Sequence, residues 1–162
     1  MRQRSGTEAG GIAHIPFTVV NDNGGAPALI ICDHASRHIP AEYGDLGLSE
    51  AQLSRHIAWD IGAAAVTEQF SERFNATAAF QNYSRLVVDC NRCLDVFNSI
   101  SPVSEDTPVP GNTDLGEAER QLRVDEVFTP YHDAISKILD DRTGQDRETF
   151  LVSVHSFTPV FK

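Results

Sequence analysis

The chain has 162 residues, with 23 Asp+Glu against 13 Lys+Arg and a formal net charge of −10. That length predicts a single domain over residues 1–162, large enough to bury a core without disulfide or metal staples. The acidic balance excludes a protein built to neutralise nucleic-acid phosphates or to sit on an anionic membrane surface, and no run reaches the ~18–20 apolar residues of a membrane span. The basic start at Met1–Gly6 lacks the apolar stretch of a secretory signal, so a cytoplasmic protein is expected, with neither nucleic acid nor membrane as partner.

Residues 1–14 read as a loose polar lead-in. Phe17–Val20 predicts a short edge strand, closed by the dense turn signal Asn21–Gly25. Ala28–Cys32 is a continuous apolar run of strand length, as a central strand covered on both faces requires. Asp33–Pro40 follows as a polar loop. Ser49 and Gln52 have the spacing of a capping box and open a helical segment through about His56. A second helix is expected from Ile61 to Phe74, with Ala63, Val66 and Phe70 near one face. Ala76–Phe80 predicts a short strand and Arg85–Cys90 a clear one. Residues 98–114 carry Pro102, Pro108, Pro110 and Gly111 and read as a long loop. Glu117–Asp141 reads as helix, with an apolar stripe of Leu122, Val127, Tyr131, Ile135, Ile138 and Leu139 that Pro130 should kink or restart. Phe150–Val154 is the last clear strand.

Strands alternating with helices predict an α/β fold with a largely parallel sheet. In such sheets ligands sit beyond the carboxyl ends of the strands. Each clear strand exits into reactive residue types: Asp33 and His34, then Asp89, Asn91 and Arg92, then His155 and Ser156. Two histidines at separate strand ends suit a zinc site of two imidazoles and a carboxylate. His34 and His155 are the imidazole pair. Asp60 is the first choice for the carboxylate and Asp33 the second, although Asp60 also stands where a helix N-cap is expected. Arg92 lies on the ligand side and can hold a carboxylate in a two-pronged grip. Arg85, at the other end of its strand, serves either a structural ion pair or the substrate. With a net charge of −10, anion binding must rest on such local arginines. His56 reads as a neighbour of the site or a surface residue, and His132 as structural. The three cysteines include one lone C-x-x-C, Cys90 and Cys93, read as small residues at a strand end.

The segments Cys32-Asp-His-Ala-Ser-Arg-His-Ile-Pro40, His56-Ile-Ala-Trp-Asp-Ile-Gly-Ala63, Asn82-Tyr-Ser-Arg-Leu-Val-Val-Asp-Cys-Asn-Arg92 and His155-Ser-Phe-Thr-Pro159, with Pro130-Tyr-His132, together resemble the N-formylglutamate amidohydrolase family. The resemblance runs from about residue 28 to the end. It implies a three-layer fold like that of zinc carboxypeptidases, with a mostly parallel or mixed sheet and helices on both faces. It further implies hydrolysis of N-formyl-L-glutamate to formate and L-glutamate, a step of histidine catabolism. Zinc would sit on His34 and His155, and a small anionic N-acyl amino acid on Arg92, Asn91, Arg85 and Ser156. Two departures shape the expectation. Carboxypeptidase-like sites take a Glu three residues after the first His, where this chain has Arg37. The general base of such sites comes from a part beyond Lys162, which makes this chain the N-terminal part of a longer domain. The competing readings are a non-catalytic domain that self-associates through an open sheet edge, and a zinc deacylase or carboxypeptidase of another acyl specificity.

Overall fold

Three short apolar runs build the sheet, and what covers each of their faces sets the layers. The computed structural model describes residues 15–158; the predicted lead-in 1–14 lies outside them. The strands are β1 (Phe17–Val20), β2 (Ala28–Cys32), β3 (Thr77–Gln81), β4 (Val103–Ser104), β5 (Thr107–Pro108) and β6 (Phe150–Ser153). The helices are α1 (Glu50–Leu53), α2 (Ala63–Phe74), α3 (Glu117–Arg123) and α4 (Thr129–Thr143). The main sheet has the order β1-β3-β2-β6. β2 runs parallel to both β3 and β6, and β1 is antiparallel to β3. β4 and β5 form a separate hairpin.

All five residues of β2 are buried, as a strand covered on both faces demands. Ala28, Ile30 and Cys32 pack toward Ala63 of α2, while Leu29 and Ile31 pack toward Tyr131 and Ile135 of α4. The expected three-layer α/β architecture is therefore present, with a mixed sheet between helices. Among the described residues no helix is long and apolar enough to cross a membrane.

Four expectations need correction. Residues 85–90 form turns, not a strand. Leu86, Val87 and Val88 are buried against a loop core with Leu46, Ile100 and Val109. An apolar run looks the same in sequence whether a sheet or a loop core covers it. In α2 the face on the sheet is Ala63, Thr67 and Ser71, whereas Val66 and Phe70 are exposed. The small side chains let the helix approach closely, and their hydroxyls are satisfied by Ala63 O (2.9 Å) and Ala76 O (2.7 Å). The capping box at Ser49 and Gln52 closes as expected, but α1 ends at Leu53 and turns follow. Finally, Leu122 is exposed, so the apolar stripe starts at Val127.

Pro130 does restart the helix. A π-helical turn at Val124–Phe128 precedes it, and the proline sits in the first turn of α4, where the chain returns to α-helical spacing. Two buried arginines tie the layers together. Arg142 donates to Ala26 O, Ala28 O and Thr77 Oγ1, joining the end of α4 to β2 and β3. Arg123 donates to Val87 O, Gly111 O and Asn112 Oδ1, ordering the proline-rich segment after residue 98.

Candidate metal centre and adjoining cleft

Because β2 and β6 are parallel neighbours, their carboxyl ends open on the same edge of the sheet. His34 follows β2 by two residues, and His155 follows β6 by two. Their ring centroids lie 5.1 Å apart. Asp60 reaches them from the turn before α2, where its backbone N–H donates to His34 O at 2.9 Å. Its side chain does not cap α2; the N-cap is Gly62, in the left-handed region at φ 87°. The Asp60 carboxylate lies 2.9 Å from His155 Nδ1 and 3.5 Å from His34 Nδ1. The backbone N–H of Ser156 also donates to it, at 3.2 Å.

One ligand atom from each of His34, Asp60 and His155 falls within 4.8 Å of the others. His34 is 2% exposed, and its Nδ1 is a buried polar atom with no hydrogen-bond partner. A buried, unpaired imidazole nitrogen aimed at a carboxylate and a second imidazole is the chemistry of a metal donor set. These three residues can hold a divalent ion. Asp33 does not join them, because both its oxygens take hydroxyls, from Tyr131 (2.9 Å) and Ser153 (2.9 Å).

Each imidazole is held from behind through its other nitrogen. His34 Nε2 lies 2.7 Å from Asp89 Oδ1. Asp89 also accepts the Asn91 N–H (2.9 Å) and Arg85 Nη2 (2.7 Å). Burial alone would raise the Asp89 pKa; the His34 hydrogen bond and charge, with Arg85, outweigh it and hold the carboxyl down at about 2. Burial likewise opposes a charge on His34, yet Asp60 and Asp89 keep its pKa above the usual imidazole value. For Asp60 burial again pushes upward, and the two neighbouring imidazoles, with the charge on His34, bring it below the ordinary carboxylate value.

Beside this cluster opens a cleft of about 530 Å³ lined by Asp60, Arg85, Asp89, Arg92 and Ser156, among others. Arg85 and Arg92, expected at opposite ends of a strand, line the same cleft, because the segment between them turns. Arg92 is 47% exposed, and its Nε stands 3.8 Å from Asp89. Asn91 does not line the cleft; its amide lies 3.4 Å from His155 Nε2. His56 also lines the cleft, 2.8 Å from Glu105 at the tip of the β4–β5 hairpin. His132 pairs with Cys90 O at 3.0 Å. Cys90 is buried and Cys93 exposed, so the C-x-x-C does not present two thiols to one ion. Arg37 pairs with Glu50 and Ser54.

Sequence reasoning assigned no role to Asp89, Tyr131, Ser153 or Glu105. Asp89 has a signal in its place at a predicted strand exit beside Asn91 and Arg92, but nothing there marks it as the partner of His34. The other three reach the site from segments that read as helix stripe, strand interior and loop.

A family model described as N-formylglutamate amidohydrolase matches residues 26–162. The crystal structure of gene product Atu2144 from Agrobacterium tumefaciens is 44% identical and superposes with a TM-score of 0.88, covering 90% of this chain and 58% of that one. The crystal structure of N-formylglutamate amidohydrolase from Ralstonia eutropha JMP134 shares the fold at 20% identity, with a TM-score of 0.72 over 88% of this chain and 58% of that one. This chain thus spans less than two thirds of either solved relative. A search of curated proteins finds no match.

Proposed function

Because this chain belongs to the N-formylglutamate amidohydrolase family, we propose that its site serves zinc-dependent hydrolysis of N-formyl-L-glutamate to formate and L-glutamate. The observation that supports a metal is the unpaired, buried Nδ1 of His34 facing Asp60 and His155. Zinc on such a set supplies Lewis acidity, polarising a carbonyl and lowering the pKa of water to about 7.

The chain's own residues do the rest of the positioning. Asp89 and Arg85 lock the His34 ring, so the donor set is assembled before any substrate enters. Arg85 is engaged by two carboxylates at once, 2.7 Å from Asp89 and 3.5 Å from Asp60, and its main work is to hold them. Arg92, half in solvent and loosely paired, is the group free to grip a substrate carboxylate. Asn91 and Ser156 supply polar contacts beside it. A second reading keeps the metal and drops turnover: Glu105 of the cleft is already engaged by His56 and Arg55.

Two measurements on the purified chain decide between them. Metal analysis after zinc loading is expected to find one ion per chain, and His34→Ala to abolish it. Formate assays with N-formyl-, N-acetyl- and peptide-linked glutamate are expected to favour the formyl compound. Zinc without formate release supports the second reading; neither zinc nor formate overturns both.

A further inference from the structure

N-formyl-L-glutamate carries two carboxylates, and a protein of net charge −10 must meet each of them with a local cation. Among the described residues, the basic side chains lining the cleft are His56, Arg85 and Arg92. Arg85 is held by Asp89 and Asp60. Arg92 stands 3.8 Å from Asp89, which itself touches His34, so it lies beside the metal position. The carboxylate on the carbon that bears the formamide belongs there. His56 makes no hydrogen bond or ion pair with the donor set, and it is the basic group left for the more distant, side-chain carboxylate.

The way His56 is held fits that task. It sits in the turns after α1, with its side chain 36% exposed. Its Nε2 lies 2.8 Å from Glu105 Oε1, while the other Glu105 oxygen accepts from Arg55 Nη2 at 3.0 Å. A carboxylate paired with a guanidinium is ionised and only accepts, so the imidazole donates to it through Nε2. Nδ1 has no hydrogen bond or ion pair among the described residues. Arg55 is tied to the hairpin a second time, through Thr107 Oγ1 at 2.7 Å. Glu105 is one of the two residues between the paired Ser104 and Thr107, and its φ of 51° lies in the left-handed region, which a β-carbon disfavours. The turn accepts that strain and places a carboxylate on the ring.

From this arrangement we infer that His56, fixed by Glu105, is a specificity-determining residue whose Nδ1 takes the side-chain carboxylate of the substrate. The inference rests on the functional reading above and deepens it, dividing the two substrate carboxylates between Arg92 and His56. A ring with a carboxylate at each nitrogen carries a proton on both, so His56 is then a cation between Glu105 and the ligand. Arg55 balances Glu105, and Arg85 balances Asp60 and Asp89 in part, which leaves the imidazolium charge to the ligand.

The test compares N-formyl-L-glutamate with N-formyl-L-glutamine, which has the same shape without the side-chain charge, on the zinc-loaded chain. The preference is the ratio of kcat/KM values where formate is released, and of Kd values where it is not. The parent chain is expected to prefer the glutamate compound by roughly 10–100-fold, the range for a hydrogen bond to a charged group. His56→Gln keeps an amide to donate to Glu105 but removes Nδ1; it should bring the two ligands close to equality and leave the glutamine compound unchanged, which also shows that the cleft is intact. Arg92→Gln should weaken both ligands by a similar factor. A preference that survives His56→Gln, an equal loss of both ligands in that variant, or a preference erased by Arg92→Gln would overturn the inference while the functional reading stands. If the zinc-loaded parent engages neither ligand, the functional reading falls and this inference with it.

Discussion

The three thiols show how far burial separates residues that look alike in sequence. Cys90 is buried, and desolvation pushes its thiol up to about 12, with Gln81 donating to the sulfur at 3.2 Å as a partial offset. Cys32, on the central strand, is pushed up to about 11, again chiefly by burial. Cys93 is exposed. The thiolate is the reactive form, so a native chain at about pH 8 should consume one equivalent of a thiol reagent, and a denatured chain three. A Cys93→Ser variant should consume none while folded. Two or more native equivalents would refute this placement. The sign for stability follows from the same shifts. The folded state favours neutral thiols, so their contribution is complete below the unfolded cysteine value near about 8.5. It declines as the pH rises from there toward 11 and 12. Urea midpoints should therefore fall above about pH 9, and less steeply once Cys90 is replaced by Ala. Asp33, Tyr131 and Ser153 teach a related lesson: each was readable as a residue, but a hydrogen-bond chain joining positions 33, 131 and 153 appears only once β2, α4 and β6 are adjacent.

At the scale of elements, local signals served well where chemistry is local. The capping box of α1, the turn after β1 and the proline restart of α4 depend on neighbours in sequence, and each stands where its residues predicted. Elements defined by what packs against them were less legible. Residues 85–90 are apolar because a loop core covers them, and α2 turns its small residues inward because the sheet leaves no room for larger ones. The start of α2 gives a direct check. Gly62 is its N-cap at φ 87°, and a Cβ there would meet nothing within 4 Å. The cost of Gly62→Ala is thus backbone strain alone, about 1 kcal/mol. At Gly116, the cap of α3, φ is −65° and a Cβ would come no closer than 3.8 Å to the Glu119 carboxylate. Gly116→Ala should be nearly neutral by comparison. Urea unfolding of the two variants should differ by about that 1 kcal/mol, and equal midpoints would show that the left-handed turn is not what starts α2.

At the scale of the whole molecule, the sheet among the described residues has β1 at one edge and β6 at the other. β1 closes one edge as a short antiparallel strand, whereas β6 pairs only with β2 among the described residues. Phe150 and Leu151 on β6 are 56% and 49% exposed, and Val66, Phe70 and Phe74 of α2 are exposed too. An unpaired edge flanked by apolar side chains is a template for another strand. Net charge works against it: at −10 two copies repel, and that repulsion is long-ranged only at low ionic strength. The balance predicts that the 162-residue chain is monomeric in dilute buffer of low salt and self-associates as protein concentration and salt rise together. Sedimentation velocity across both variables measures this. Leu151→Lys places a charge on the edge without disturbing the buried strands and should restore the monomer at high salt, whereas Phe97→Lys, at a more exposed apolar site outside the sheet, should not. A monomer under all conditions would mean that the edge is blunted by its own twist and charge, and association that survives Leu151→Lys would place the contact on α2 instead.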